Sequence, residues 1–448
     1  MSTAIPNLRL IRAPDPLGLY VRIAGVGQKD LQTFLASRGA TFNGVVFEAR
    51  RVDPPQVKQE GKDSRKPRSS QRELLSLVLE RRMDAVLDPQ TQAMATPGGY
   101  SDKLNHLPWC LGRMHRLEDY TPEFVHKMAD DLAKFAVAHS FTQVLAPTHL
   151  IRDASDPWLA VDIACTRALR LALRRRNGAS IQVNYSLAMP YATLRTSEKR
   201  EEVIERLRAV EFDSLWMNID GCGSDMSPLG VVRYNDAATA FHFLGVPIVA
   251  DHMGGLVGLS LLAFGSVGGL SHGITMFERC DTRSWLKPKP EDSLLFGPKV
   301  RVYLSNIDLL LAKDDAEKLF ESGNKAKSHY GCRDTNCCAR GIVDTLQAPV
   351  RHFLQQRTEE VAGLGRIPES LRAGRFLEEH LRPATDRAIV GPTLPVSEKL
   401  REKLAKHSKR LNDLRIVLGG YNENRKAATY AQHPKTRAAR ETRRRIDL

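Results

Sequence analysis

The chain has 448 residues, enough for one large domain with appendages or for two domains. No run of about 18 apolar residues and no charged-then-apolar amino terminus with a cleavage site is present, so neither a membrane span nor a signal peptide is expected and a cytoplasmic protein is. A formal charge of +14 excludes little by itself, yet it makes polyanions the natural partners, since each neutralised phosphate releases counterions.

Taken in chain order, residues 19–24 read as an apolar strand, 30–38 as a short helix and 45–48 as a second strand, so that 1–50 supplies the first barrel elements. A polar, basic stretch over 51–72, with Pro54-Pro55 and Lys66-Pro67-Arg68, has a loop composition and could lie on a phosphate backbone. From residue 73 helical and strand patterns alternate. Helix 73–81 feeds strand 84–88, helix 122–139 feeds strand 143–146, and helix 157–176 stops at Asn177-Gly178 before strand 181–187. Helix 197–210 precedes strand 214–220, helix 228–244 stops at Gly245 before strand 246–251, and helix 256–264 stops at Gly265 before strand 268–274. With one more strand, from 19–24 or from 300–304, about eight βα units result. Eight closes a parallel (β/α)8 TIM-like barrel, expected over 73–320 together with the amino-terminal elements. An open doubly wound sheet is the alternative, but it lacks a glycine-rich phosphate fingerprint.

Barrel active sites lie at the carboxyl ends of the strands. The polar residues ending apolar strands are Asp88, Asn184, Asp220, Asp251 with His252, and His272; His149 follows its strand closely. Converging carboxylates would provide a nucleophile and a general acid or base, whereas a strand-end Asp can also be a simple helix cap, Asp220 above all because Gly221 and Gly223 follow it. Gly254 and Gly255 would let backbone approach a flat ligand, or pack a helix tightly against the barrel. Tyr100 could stack on a base or simply pack.

Residues 321–366 concentrate three of the seven cysteines. Cys332, Cys337, Cys338 and His352 make up a Cys3His zinc set with irregular spacing; buried or redox-active thiols are the alternative. Helices over 367–420 and a basic tail over 421–448, ending Arg443-Arg444-Arg445 and expected to be disordered when free, complete the chain.

This order of features resembles the tRNA-guanine transglycosylase superfamily, in particular its DNA-acting members that insert 7-deazaguanines. The likeness rests on Ala85-Val86-Leu87-Asp88, on Leu194-Arg195 followed by a helix and Phe212-Asp213-Ser214-Leu215, and on the cysteines followed by a histidine. It departs at Pro89-Gln90-Thr91, which replaces the family's glycines, and at 268–273, which has no carboxylate where the family carries its nucleophile. The resemblance implies exchange of guanine for a 7-deazaguanine base in a polynucleotide, DNA rather than tRNA, through a covalent intermediate, with structural zinc and with room for accessory proteins. Asp251 is then expected as nucleophile and Asp88 as general base, with Tyr100, Asn184, Asp220, Gly254, Gly255 and His272 around the substrate. A tRNA-acting enzyme is the nearest alternative. Two further readings are a noncatalytic nucleic-acid-binding barrel and a metal-dependent hydrolase with Asp251, His252 and His272 as ligands.

Overall fold

The computed structural model describes residues 17–23, 27–38, 42–54, 71–288, 301–425 and 429–446. Eight parallel strands close into a barrel: β1 (Gly18–Ile23), β2 (Gly44–Glu48), β3 (Asp84–Asp88), β4 (Gln143–Leu145), β5 (Gln182–Pro190), β6 (Ser214–Asp220), β7 (Ile248–Asp251) and β8 (Gly269–Gly273). The seam joins β1 to β8, with Leu19 opposite Leu270 and Val21 opposite His272. The first strand therefore comes from the amino terminus, and β9 (Arg301–Leu304) instead forms an antiparallel hairpin with β10 (Leu309–Ala312) outside the barrel. Most of the basic loop expected over 51–72 lies outside the described residues. Among them no helix is long and apolar enough to cross a membrane.

Strand alternation explains how the barrel is filled. Tyr20, Val46, Val86, Leu145, Trp216 and Val249 form one apolar layer across its middle, with the Tyr20 and Trp216 rings 4.9 Å apart. Residues two positions further along a strand share its face, so the next layer toward the carboxyl ends is Arg22, Glu48, Asp88, Asn218 and Asp251. Two positions earlier lie Gly18, Gly44, Asp84, Gln143 and Ser214. The outward faces of the strands and the inner faces of the surrounding helices make the main core. Thr121, Asp156 and Ser227 each cap a helix that opens on proline, accepting from Phe124, Trp158 and Gly230 respectively.

The eighth barrel helix is delayed. After β8 the chain makes the hairpin and the helices Lys313–Glu321, Asn324–Tyr330 and Ile342–Gln347. Only then does the helix Pro349–Gly365 pack between Gln28–Arg38, the first helix, and Gly255–Ala263, the seventh. The cysteine cluster thus belongs to an insertion between β8 and its helix.

The carboxyl-terminal region differs from expectation at two points. The helix Glu398–Asn424 continues through Gly419-Gly420, where a stop was expected. The expected disordered tail is an extended strap over 429–436 followed by the helix Arg437–Ile446. The strap crosses the amino-terminal end of the barrel against glycines: Cβ atoms on Gly265, Gly268 and Gly18 would lie 2.3 Å from Tyr430, 2.1 Å from the Gln432 carbonyl and 2.9 Å from Pro434. These glycines leave room for a second chain segment.

Candidate active site and metal cluster

A cavity of about 600 Å³ opens at the carboxyl ends of the strands. Its ionic wall comes from β1, β2 and β3. Arg22 reaches across the barrel, its Nη1 donating to Asp88 at 2.8 Å and its Nε to Asp251 at 2.7 Å. Burial alone would lower the Arg22 pKa and raise that of Asp251; their mutual attraction outweighs burial, so Arg22 is raised and Asp251 lowered from their ordinary values. Glu48 accepts on Oε2 from Arg50 Nε at 3.0 Å and Arg51 Nε at 2.6 Å, which leaves Oε1 without a protein donor among the described residues. Glu48 and Asp88 are direct partners in the β2–β3 register, and both line the cavity.

The opposite wall is uncharged. Gln92 Nε2 donates to Thr148 Oγ1 and to Ser186 Oγ, each at 3.1 Å, and Asn218, 2% exposed, keeps its Oδ1 without a partner. Trp285 and Phe277 contribute aromatic surface. Three residues lining the cavity, Gln90, His252 and Phe277, have positive φ of 63°, 57° and 59° without being glycine. Side-chain-bearing residues held in this region mark a constrained site rather than an idle turn. Burial lowers the His252 pKa, and its Nδ1 has no partner.

The expected site residues divide. Asp88 lines the cavity. Asp251 stands beneath it, 2% exposed, with both oxygens taken by Arg22. Asn184 faces the lower layer, donating to Gln143 at 2.7 Å, and Ser186, two residues on, is the β5 residue in the cavity. Asp220 accepts from the Thr282 backbone at 2.7 Å and ties the end of β6 to a loop. Tyr100 donates to Asn105 at 2.8 Å, away from the lining. His272 points to the outer face of β8, against Phe353. Gly254 and Gly255 approach no ligand space: Cβ atoms there would lie 2.3 Å from Glu278 Oε1 and 2.5 Å from Asp308 Oδ2. Carboxylates fill the space expected for a flat base.

His149 also has another role. Leu111 N–H donates to His115 Nε2, so His115 Nδ1 carries the proton and donates to the Tyr120 hydroxyl at 2.9 Å. Tyr120 then donates to His149 Nε2 at 2.8 Å, and His149 Nδ1 to Asp162 at 2.6 Å. This buried chain satisfies every member and braces the base of the loop carrying Thr148. Sequence reasoning missed Arg22, Glu48, Gln92, Ser186 and Asn218. Counting two residues on from an inward apolar position would have found three of them, Arg22, Glu48 and Asn218; Ser186 follows the inward but polar Asn184 and Gln92 lies on a short helix, so neither carries that signal.

Cys332, Cys337, Cys338 and His352 bring their ligand atoms within 4.8 Å of one another. Cys337 and Cys338 are buried and Cys332 is half-buried. His352 Nε2 faces the Tyr303 carbonyl at 3.0 Å and must donate to it, which leaves Nδ1, 3.3 Å from Cys337 Sγ and 3.4 Å from Cys338 Sγ, as the ligating nitrogen. Hydrogen bonds from Cys332 and then Cys337 hold the Cys338 thiol far below its ordinary value, so one thiolate is favoured before any ion arrives. The donor set fits a metal ion. Among the described residues this is the one cluster of three or more such side chains; Asp251, His252 and His272 do not form another, which removes the basis for the metal-dependent hydrolase.

No family model and no curated protein matches the chain. Among solved structures it is similar to a GH26 β-mannanase from Bacteroides ovatus (12% identity, 62% of this chain and 86% of that one, TM-score 0.34). It is also similar to the Penicillium canescens endo-1,4-β-xylanase XylE (10%, 57% and 81%, TM-score 0.37). A chitinase from Chromobacterium violaceum matches as well (15%, 53% and 68%, TM-score 0.31). Likeness this distant reaches no further than the barrel. The neighbours named are glycoside hydrolases and not base-exchange enzymes, and the expectation of guanine exchange, in DNA or in tRNA, is corrected by the site itself. Asp251, expected to attack, stands beneath the cavity and is not part of its lining, and the glycine turn expected to take a base is filled by Glu278 and Asp308.

Proposed function

We propose that the chain is a hydrolase that cleaves a glycosidic bond in the cavity at the carboxyl ends of the barrel strands, with Glu48 and Asp88 as the reacting carboxylates. The observation that carries this reading is their side-by-side register at the ends of β2 and β3, both lining the cavity. Adjacent strands run about 4.8 Å apart, which favours the closer of the two carboxylate spacings used in glycoside cleavage, about 5–5.5 Å, and so retention at the anomeric carbon. One carboxyl group protonates the leaving oxygen or nitrogen while the other attacks, and water then releases the sugar. Arg22 fixes the Asp88 side chain, and the carboxyl group that protonated the leaving atom takes a proton back from the attacking water, so the cycle closes. Gln92, Ser186 and Asn218 supply hydrogen bonds for sugar hydroxyls, and Trp285 a flat face for a pyranose or a base.

We assign zinc to the Cys3His cluster, where four protein ligands leave no open position and make its role structural. The rim arginines Arg50, Arg51 and Arg279, with the overall charge of +14, favour an anionic substrate such as a polynucleotide.

The test is a panel of aryl O-glycosides, nucleosides and polynucleotides, scored for released sugar or base. Glu48→Gln and Asp88→Asn should each lower turnover by ~10²-fold or more with unchanged circular dichroism. Full activity in both variants, or no cleavage of any glycosidic bond by the wild type, would overturn the reading.

A further inference from the structure

The helix that carries His352 also carries Arg357, whose guanidinium is buried among three carboxylates. Its Nη2 donates to Glu278 at 2.9 Å, and its Nη1 donates to Asp308 at 3.0 Å and to Glu360 at 2.9 Å. Tyr303 lies under it, with the guanidinium carbon 4.2 Å from the ring centre, and the Tyr303 hydroxyl accepts from Nη1 at 2.7 Å. The same Tyr303 gives its carbonyl to His352. One residue of β9 therefore meets both the metal ligand and the arginine.

Two of the three carboxylates act at a distance from the helix. Glu278 lies between Phe277 and Arg279, which both line the cavity, and its side chain presses on Gly254. Asp308 presses on Gly255, whose φ is +65°, and accepts from the Leu256 backbone at 2.7 Å, capping the first turn of the helix Gly255–Ala263. That turn follows directly on Asp251 and His252. Neither carboxylate tolerates burial without a cation, and among the described residues Arg357 is the one that pairs with both.

We propose that Arg357 is a positioning residue for the cavity: through Glu278 and Asp308 it holds the turn after β7 and the loop after β8, and so places His252, Phe277 and Arg279. Its own place is set by the helix whose first turn is pinned at the Cys3His cluster, so occupancy of that cluster is coupled to the shape of the cavity some distance away. The proposal concerns the cavity's geometry and stands apart from the bond the cavity cleaves.

Hydrogen exchange by mass spectrometry, on the metal-loaded full chain, reads it without an assay of turnover. Arg357→Met strands three buried carboxylates and is expected to unfold much of the domain, so the deciding variant is Glu278→Gln, which keeps the shape over Gly254 and weakens the pairing. Exchange should rise by ~5-fold or more in 252–257 and 274–281, with the rest of the barrel unchanged, metal content unchanged and Trp285 emission shifted. If the cavity is the active site, KM should rise more than kcat falls, and Arg357→Lys should be an intermediate case. Removal of the metal with a chelator should produce the same local pattern, in addition to changes around 332–352. Exchange that is unchanged in the two segments, or raised uniformly with a lower melting temperature, would reduce Arg357 to a general stabiliser and overturn the proposal. Absence of glycosidic cleavage with the local pattern intact would refute the proposed function alone.

Discussion

Arg440, from the last helix of the chain, enters the amino-terminal end of the barrel and forms an ion pair with Asp84, a carboxylate with no exposed surface. Asp84 also accepts from Thr142 at 3.0 Å, but Arg440 is its cationic partner. Arg440→Ala should cost about 3–5 kcal/mol, the scale for stranding a buried charge, and Asp84→Asn in the same chain should recover part of the loss. Urea denaturation of the single and double variants checks this. Equal stability of Arg440→Ala and wild type would show that water serves Asp84 as well as the arginine does.

Metal loss is expected to be felt as folding free energy. Cys338→Ser and His352→Ala should each abolish stoichiometric metal by elemental analysis. With a loss of about 3 kcal/mol, the melting temperature should fall by roughly 6–12 °C on the usual scale of 2–4 °C per kcal/mol. A variant that lacks the metal and melts at the wild-type temperature would contradict a structural role.

Acid should destabilise the fold through two histidines. Burial lowers the pKa of His115 to about 4 and that of His407 to about 4. An unfolded histidine titrates near 6.5, so between about 4 and 6.5 the unfolded chain binds more protons, and the stabilisation is complete above that window and lost as pH falls through it. His407 donates through Nε2 to the Ile307 carbonyl at 2.6 Å, a bond that glutamine can imitate. His407→Gln should therefore flatten the stability profile between pH 6.5 and 4 in denaturation series; an unaltered slope would assign the acid sensitivity elsewhere.

Arg22→Lys keeps the charge but loses the fork that spans Asp88 and Asp251. Turnover should fall by ~10²-fold, while Asp251→Asn alone should be milder if Asp251 serves to hold Arg22. Steady-state kinetics of the two variants checks the order. An Asp251→Asn variant that is as inactive as Glu48→Gln would give Asp251 a direct part in the chemistry.

The barrel was legible because parallel strands buried on both faces write themselves as apolar runs, each preceded by a helix that ends on a stop signal, as at Gly245 and Gly265. The polar layer was half legible. Asp88 stood out as a charge ending an apolar run, but Arg22 falls within β1 and Glu48 precedes more charge at Arg50 and Arg51, so neither breaks its local pattern. Asn184 and Ser186 show the limit clearly, because the two share a face and only the barrel's stagger decides which one reaches the cavity. The ligand cluster was legible from composition. Its connection to Arg357 was not, since Glu278, Asp308 and Arg357 come from three separate elements and look like ordinary surface charges in the sequence. The tail was misread for a related reason: the arginines on either side of the strap, such as Arg425 and Arg437, resemble a solvated run until the glycines facing Tyr430, Gln432 and Pro434 are seen as vacated space.

Those glycines also impose an order on folding. Pro434 can settle only against Gly18 and Gly269 together, and these belong to the first and eighth strands. The seam therefore has to zip before the strap has a surface to bind, while Asp84 has to wait for an arginine 356 residues further along the chain. Until the strap docks, the barrel floor is uncovered and holds an acid without its cation, which makes docking a late step of folding that depends on contacts distant in sequence.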